Sequence, residues 1–152
     1  MVPEKCTGCS QCELMCSYEK VGAFNAPKSM IKIFAFEDTS RNVPFTCTQC
    51  AEAWCMRVCP VNAITVDDKT GAKIVSKDRC VGCKVCTIAC PFGTINFDTD
   101  DGKVHKCDLC GGDPACVKVC PHDAILYVDA NATGQERMRE WAAKTDTVVT
   151  EH

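Results

Sequence analysis

Residues 80–91, CVGCKVCTIACP, set Cys80, Cys83, Cys86 and Cys90 at CxxCxxCxxxCP spacing. Few short patterns restrict a chain more. Cysteines separated by two residues can all turn their sulfurs inward from one tight loop, and three such thiolates fit three corners of an iron–sulfide cube. The fourth cysteine cannot close that same cube. It is expected to begin a helix that Pro91 favours and to face a second cluster, so the pattern implies a partner run elsewhere in the chain.

Three further runs are present. The first is CTGCSQCELMC, with Cys6, Cys9, Cys12 and Cys16, followed by Ser17 where a proline would be expected. The second is CTQCAEAWCMRVCP, with Cys47, Cys50, Cys55 and Cys59, and its wider gap between second and third cysteines places Trp54 in a bulge, where it is expected to cover a cluster from water. The fourth is CDLCGGDPACVKVCP, with Cys107, Cys110, Cys116 and Cys120 and a wider gap still. All sixteen cysteines are thereby used. Competing chemistries would leave spare thiols, whereas four runs imply four [4Fe–4S] clusters.

Sixteen cysteines in 152 residues is far above ordinary usage, and a chain this size with so thin an apolar core needs staples. Disulfides imply a secreted context, yet Cys6 follows MVPEK with no room ahead of it for a signal peptide. Zinc ribbons use two separated CxxC pairs rather than runs of four. Iron–sulfur clusters are the reading that remains.

Other classes fall away on charge and patterning. Seventeen basic residues against twenty acidic ones, with no basic block, argue against nucleic acid. The longest apolar candidate, MIKIFAF at 30–36, is short and interrupted by Lys32, so the chain reads as soluble with no membrane span. Cysteine ligation suits a reducing cytoplasm.

Between the runs the sequence reads as short β-hairpins. Ala63 to Val66 and Lys73 to Val75 flank DDKTG, with Gly71 at an expected positive φ; Thr94 to Phe97 and Val104 to Lys106 flank DTDDG. SMIKIFAFED predicts a single strand with Phe34 and Phe36 packed, and HDAILYV predicts a last short strand. Gly8 and Gly82, each between the first two cysteines of a run, are expected to let the backbone turn tightly. In the tail, Thr133 and Glu136 have capping-box spacing, and Met138, Trp141, Ala142 and Thr145 share one face of a helix predicted from about 134 to 145. Such a helix could pack back on the protein or dock on a partner or a second copy.

Connection lengths bear on which runs share clusters. The hairpin between runs two and three has the length expected within one ferredoxin unit, which pairs Cys47, Cys50 and Cys55 with Cys90, and Cys80, Cys83 and Cys86 with Cys59. Runs one and four then pair: Cys6, Cys9 and Cys12 with Cys120, and Cys107, Cys110 and Cys116 with Cys16. Serial pairing of run one with two and three with four is the alternative, at the cost of fitting unequal connections into equivalent units. The fold class expected is α+β: an outer ferredoxin-like unit of residues 1–46 and 103–129 around an inner one of 47–102, with short hairpins, short helices and a C-terminal docking helix in 130–152.

On these four runs, and over roughly residues 3–128, the chain resembles the four-cluster ferredoxin-like electron-transfer subunits of molybdenum and tungsten oxidoreductases, hydrogenases and carbon monoxide dehydrogenases. The nested pairing is the family's own. Many of its members carry a membrane anchor or long insertions, and this compact chain is most similar to the small iron–sulfur subunit of tungsten-containing aldehyde oxidoreductases. The resemblance implies a non-catalytic subunit that carries electrons between a catalytic tungsten or molybdenum subunit and another redox partner, such as a flavin subunit.

No phosphate-binding GxxxxGK[ST], dinucleotide GxGxxG or HExxH zinc helix supplies a reaction of its own. His105 and His122 are expected at the surface or behind the ligands. Two rival readings stay open: a free polyferredoxin carrier, and a cluster-assembly or redox-sensor protein, which would need an open ligand position and an output domain. The electron-transfer subunit of a hydrogenase, formate dehydrogenase or carbon monoxide dehydrogenase is a variant of the leading one.

Overall fold

A computed structural model describes residues 1–128 and, in the tail, 134–135, 138–139 and 142–143. Those six tail positions are helical, within the segment expected to form a helix. Thr133, Glu136, Trp141 and Thr145, on which its cap and docking face depend, lie outside the described residues.

Each cysteine run carries one α-helix: α1 at Gln11–Val21, α2 at Trp54–Arg57, α3 at Val85–Ala89 and α4 at Ala115–Lys118. The third cysteine of the run rides on the helix. The fourth does not begin one, contrary to the sequence expectation: Cys90 is the C-cap of α3, in extended conformation at φ −78° and ψ 113°. The cause is the proline behind it. A residue preceding proline is pushed out of the α region, and proline has no N–H with which to continue a helix. Run one tests this account, because Ser17 replaces the proline there. α1 runs through Cys16 to Val21 and stops on Gly22 at φ 70°, whose N–H bonds to the Tyr18 carbonyl. Ser17 itself is fully buried, donating to the Leu14 carbonyl at 2.8 Å and accepting the Asn25 N–H at 2.9 Å.

Three antiparallel hairpins join the runs. β3 (Ile64–Val66) pairs with β4 (Lys73–Val75), and β5 (Asn96–Asp98) with β6 (Lys103–His105), as the turn residues predict, with Gly71 at φ 70°. Of the third hairpin the sequence predicts only the first strand. β1 (Lys32–Phe36) pairs with β2 (Arg41–Phe45), setting Ile33 opposite Pro44. RNVPF reads poorly as a strand because of its proline, yet this two-stranded ribbon leaves each strand an open edge where the missing N–H costs nothing. Ser40 turns the ribbon at φ 49°, with no glycine to announce it.

Two further expectations are corrected. Phe34 and Phe36 are about half exposed, because Ile31 and Ile33 on the opposite face take the core positions. HDAILYV forms no strand: the Ala124 carbonyl accepts the Val2 N–H, but Ala124 and Ile125 turn inward as core plugs after Asp123, at φ 51°.

The core is divided in two. Ala63, Ile64, Ile95 and Val104 pack with Cys80 and Cys86, and against Cys55, Cys59 and Cys90. Met30, Ile31 and Ile125 pack with Cys12 and Cys16, and against Cys107, Cys116 and Cys120. Each core thus surrounds thiols rather than filling its own centre. No helix among the described residues is long and apolar enough to cross a membrane.

Candidate metal centres

A left-handed residue stands two positions after the first cysteine of every run: Gly8 at φ 74°, Gln49 at 50°, Gly82 at 69° and Leu109 at 58°. This kink folds the loop so that its sulfurs converge. At Gly82 there is a second reason for glycine, since a Cβ there would lie 2.2 Å from the Gly102 carbonyl oxygen. Gln49 and Leu109 do the same turning without the glycine that makes it visible in sequence.

The convergence produces three hollows, each lined by four cysteines. Cys47, Cys50, Cys55 and Cys90 line one of about 370 Å³, beside Trp54, Phe92 and Lys106. Cys6, Cys9, Cys12 and Cys120 line another of about 310 Å³, and Cys59, Cys80, Cys83 and Cys86 a third of about 270 Å³. In each, three cysteines of one run meet the last cysteine of another. The remaining four thiols, Cys16, Cys107, Cys110 and Cys116, meet where α1 packs on α4; Cys16, Cys107 and Cys110 all act on the Cys116 thiol.

Burial shifts several of the bare thiols. It pushes Cys12 and Cys86 up to about 11, and Cys116 up to about 12 with the repulsion of Cys16 and Cys107 adding to it. Such sites resist holding bare thiolates and favour a cation that neutralises several at once. Cys90 goes the other way. Burial acts to raise it, but the Thr94 hydroxyl and the backbone N–H groups of Thr94, Phe92 and Gly93 bring it below its ordinary 9.0.

Donors aimed at the last cysteine of a run recur. Ala63 N–H reaches Cys59 Sγ at 3.2 Å, Ala124 N–H reaches Cys120 Sγ at 3.3 Å, and the Thr94 hydroxyl lies 3.5 Å from Cys90 Sγ. The turn behind the proline supplies them: Asn62, Gly93 and Asp123 all have positive φ. In run one, where the helix continues, Met30 N–H reaches Cys16 Sγ from the far side at 3.3 Å. Convergent thiols with N–H donors on their sulfurs fit an iron–sulfur cluster.

Trp54 lines the first hollow as expected but stays 56 % exposed, with the Arg57 guanidinium 5.7 Å from its ring. It is a rim rather than a lid. His105 pairs with Asp101 at 2.8 Å and lines none of the cysteine hollows; His122 is exposed at the edge of the second. Sequence reasoning missed Lys106, placed only as the end of a strand, which is 6 % exposed. It also missed Gln49, whose amide N–H donates to the Cys107 carbonyl at 2.8 Å while its oxygen accepts the Lys73 N–H at 2.9 Å, tying run two to run four.

Four-cysteine hollows built from CxxC loops and short hairpins define an iron–sulfur protein of small α+β fold. Comparison with known proteins gives the family: residues 39–130 match the 4Fe-4S dicluster domain, and residues 3–19 match a 4Fe-4S binding domain. The chain belongs to the 4Fe-4S dicluster family and binds multiple [4Fe–4S] clusters. It is 42 % identical over 134 residues to the aliphatic sulfonate oxidoreductase polyferredoxin-like subunit of Pyrococcus furiosus, covering 86 % of this chain and 77 % of that one. It is 37 % identical over 128 residues to the beta subunit of NADH-dependent phenylglyoxylate dehydrogenase from Aromatoleum evansii, covering 83 % of this chain but only 29 % of that one. With the electron transport protein HydN of Escherichia coli it shares 31 % identity over 154 residues, 86 % of this chain and 87 % of the relative.

Proposed function

We propose that this chain is a non-catalytic electron-transfer subunit in which sixteen cysteines hold four [4Fe–4S] clusters. The ligand sets are Cys6, Cys9, Cys12 and Cys120; Cys107, Cys110, Cys116 and Cys16; Cys47, Cys50, Cys55 and Cys90; and Cys80, Cys83, Cys86 and Cys59. The observation that carries this reading is the meeting, in each of three hollows, of three cysteines from one run with the last of another. It favours nested units over serial pairing, because none of these three hollows among the described residues joins cysteines of run one to run two or of run three to run four.

A bound cluster of this kind accepts and releases one electron. The chain's residues determine where and in what order. Cys12 lies near Cys116 and Cys47 near Cys107, each helping to raise the other run's thiol, while Cys55, Cys59, Cys80 and Cys90 share one core. The sets therefore follow one another as a row: that of Cys6, that of Cys107, that of Cys47 and that of Cys80. Either end can face a partner.

The partner we infer is a catalytic subunit with a tungsten or molybdenum cofactor that oxidises an aldehyde, the second partner being a flavin subunit or a soluble carrier. The resemblance of the four cysteine runs supports the metal, and relatives named as subunits of oxidoreductases support the complex. Metal analysis of the complex purified without oxygen tests both. About sixteen iron atoms per chain with co-purifying tungsten or molybdenum is expected. Nickel would replace the aldehyde reading by a hydrogenase or carbon monoxide dehydrogenase, iron without a partner would favour a free carrier, and zinc in place of iron would overturn the proposal.

A further inference from the structure

Among the described residues, Lys106 is the only buried charged side chain. Its ammonium has three N–H groups and three acceptors: the Lys73 carbonyl, the Cys107 carbonyl at 3.0 Å and Gln49 Oε1 at 3.3 Å. None of these is a carboxylate, and Lys106 takes part in none of the ion pairs formed among the described residues. A buried cation without an anion is costly, and hydrogen bonds to neutral carbonyls offset only part of the cost. The fold needs negative charge close by.

The hollow beside it can hold that charge. Lys106 lines the cavity of Cys47, Cys50, Cys55 and Cys90. Burial pushes the Cys55 thiol up, and the Lys106 ammonium acts against that rise. Lys20, beside Cys110, offers a contrast, since it is already neutralised by Asp108 at 2.6 Å. Lys106 keeps its charge free for the cavity.

We propose that Lys106 is the built-in counter-charge of the cluster held by Cys47, Cys50, Cys55 and Cys90, favouring its reduced form and making it the station where an electron rests between the outer and inner units. The inference rests on the ligand sets proposed above. An electron added beside a fixed ammonium is stabilised by Coulomb attraction, and the low dielectric of a buried site enlarges the effect. Lys106 moves no proton in this step and keeps its three hydrogen bonds. It tunes and does not react. Gln49 Oε1 and the Cys107 carbonyl both hold the ammonium, and the Gln49 amide N–H donates to that same carbonyl, so the contact that joins the two halves also fixes the charge.

The test is a redox titration without oxygen, followed by electron paramagnetic resonance and with iron quantified, on the whole chain and its Lys106→Met and Lys106→Arg variants. In Lys106→Met the potential of one cluster should fall by about 59 mV, a tenfold change in a one-electron equilibrium constant, with the others moving less. Lys106→Arg should restore it. Unchanged potentials in a fully loaded Lys106→Met variant would overturn the proposal. Should Lys106→Met shed iron, Lys106→Arg decides: full iron in Arg means the charge is required and the proposal stands, whereas equal loss means the residue only packs and the proposal falls. Adding Cys90→Ser separates this from the ligand reading. If Cys90→Ser spares the cluster that Lys106→Met shifts, the ligand set is wrong while the lysine effect survives.

Discussion

Ala63 donates its backbone N–H to Cys59 Sγ at 3.2 Å, and the donor is aimed there by Asn62, which sits at φ 48°. The same construction serves Cys120 through Asp123 and Ala124. In both, the helix stops just ahead of the last cysteine and its proline, a left-handed residue reverses the chain, and the next N–H falls on the sulfur. Asn62→Gly should therefore be tolerated. Asn62→Val should cost about 1–2 kcal/mol, since a β-branched residue is forced into the left-handed region. Denaturant titration of the loaded protein, with iron counted, checks the pair; equal stability of the two variants would mean the turn does not aim the donor.

Gly82 and Gly93 both have positive φ, but only one is crowded. A Cβ on Gly82 would strike the Gly102 carbonyl oxygen at 2.2 Å, whereas a Cβ on Gly93 meets nothing within 4 Å. Gly93→Ala should cost about 1 kcal/mol, the left-handed penalty alone. Gly82→Ala must also displace backbone from backbone, so it should cost more and release iron from the Cys80, Cys83 and Cys86 loop. Iron content after gel filtration separates the two; equal retention would show that the β5–β6 turn yields freely.

The cysteine runs and two of the three hairpins are legible in the sequence because their signals are local: CxxC spacing, and DDKTG or DTDDG between apolar pairs. The hidden features depend on partners far away in sequence. β2 is obscured by Pro44, which is harmless only because its ribbon has two strands. A proline after the last cysteine carries two meanings, since Pro91 can open a helix of its own or close the one before it. Only the second holds here, with Cys90 as the cap. Lys106 cannot be recognised as buried without Gln49 and the Lys73 carbonyl, which arrive from two other segments. Phe34 and Phe36 have the composition of core residues, whereas the ribbon's twofold alternation gives that face to Ile31 and Ile33.

Cys90 lines the hollow of Cys47, Cys50 and Cys55, not that of Cys80, Cys83 and Cys86 in its own run. Cys90→Ser should therefore damage the cluster bound by run two and leave that of Cys80, Cys83 and Cys86 intact. Spectroscopy on the variant, compared with Cys59→Ser, should show the two losses exchanged. Loss of the neighbouring cluster in each case would refute crossed ligation.

Lys20 donates to Asp108 Oδ1 at 2.6 Å, tying α1 to the loop of Cys107 and Cys110, and Asp108 also accepts the Cys110 N–H at 3.0 Å. Burial acts to raise the Asp108 carboxyl, but the Lys20 ammonium and the Cys110 N–H hold it below its ordinary 3.8. A carboxyl depressed on folding contributes stability above the unfolded value and loses it as the pH falls through the folded one. The pair is partly solvated, so after screening its worth is about 0.2–1 kcal/mol. Asp108→Asn keeps an acceptor for Cys110 and removes the charge. At pH 5–7 the variant should release its clusters faster than the parent by up to about fivefold, the rate equivalent of that energy. As the pH falls through the depressed folded value the parent's carboxyl protonates as well, and the two rates should converge. A ratio that stayed constant through that fall would assign the effect to lost shape rather than lost charge.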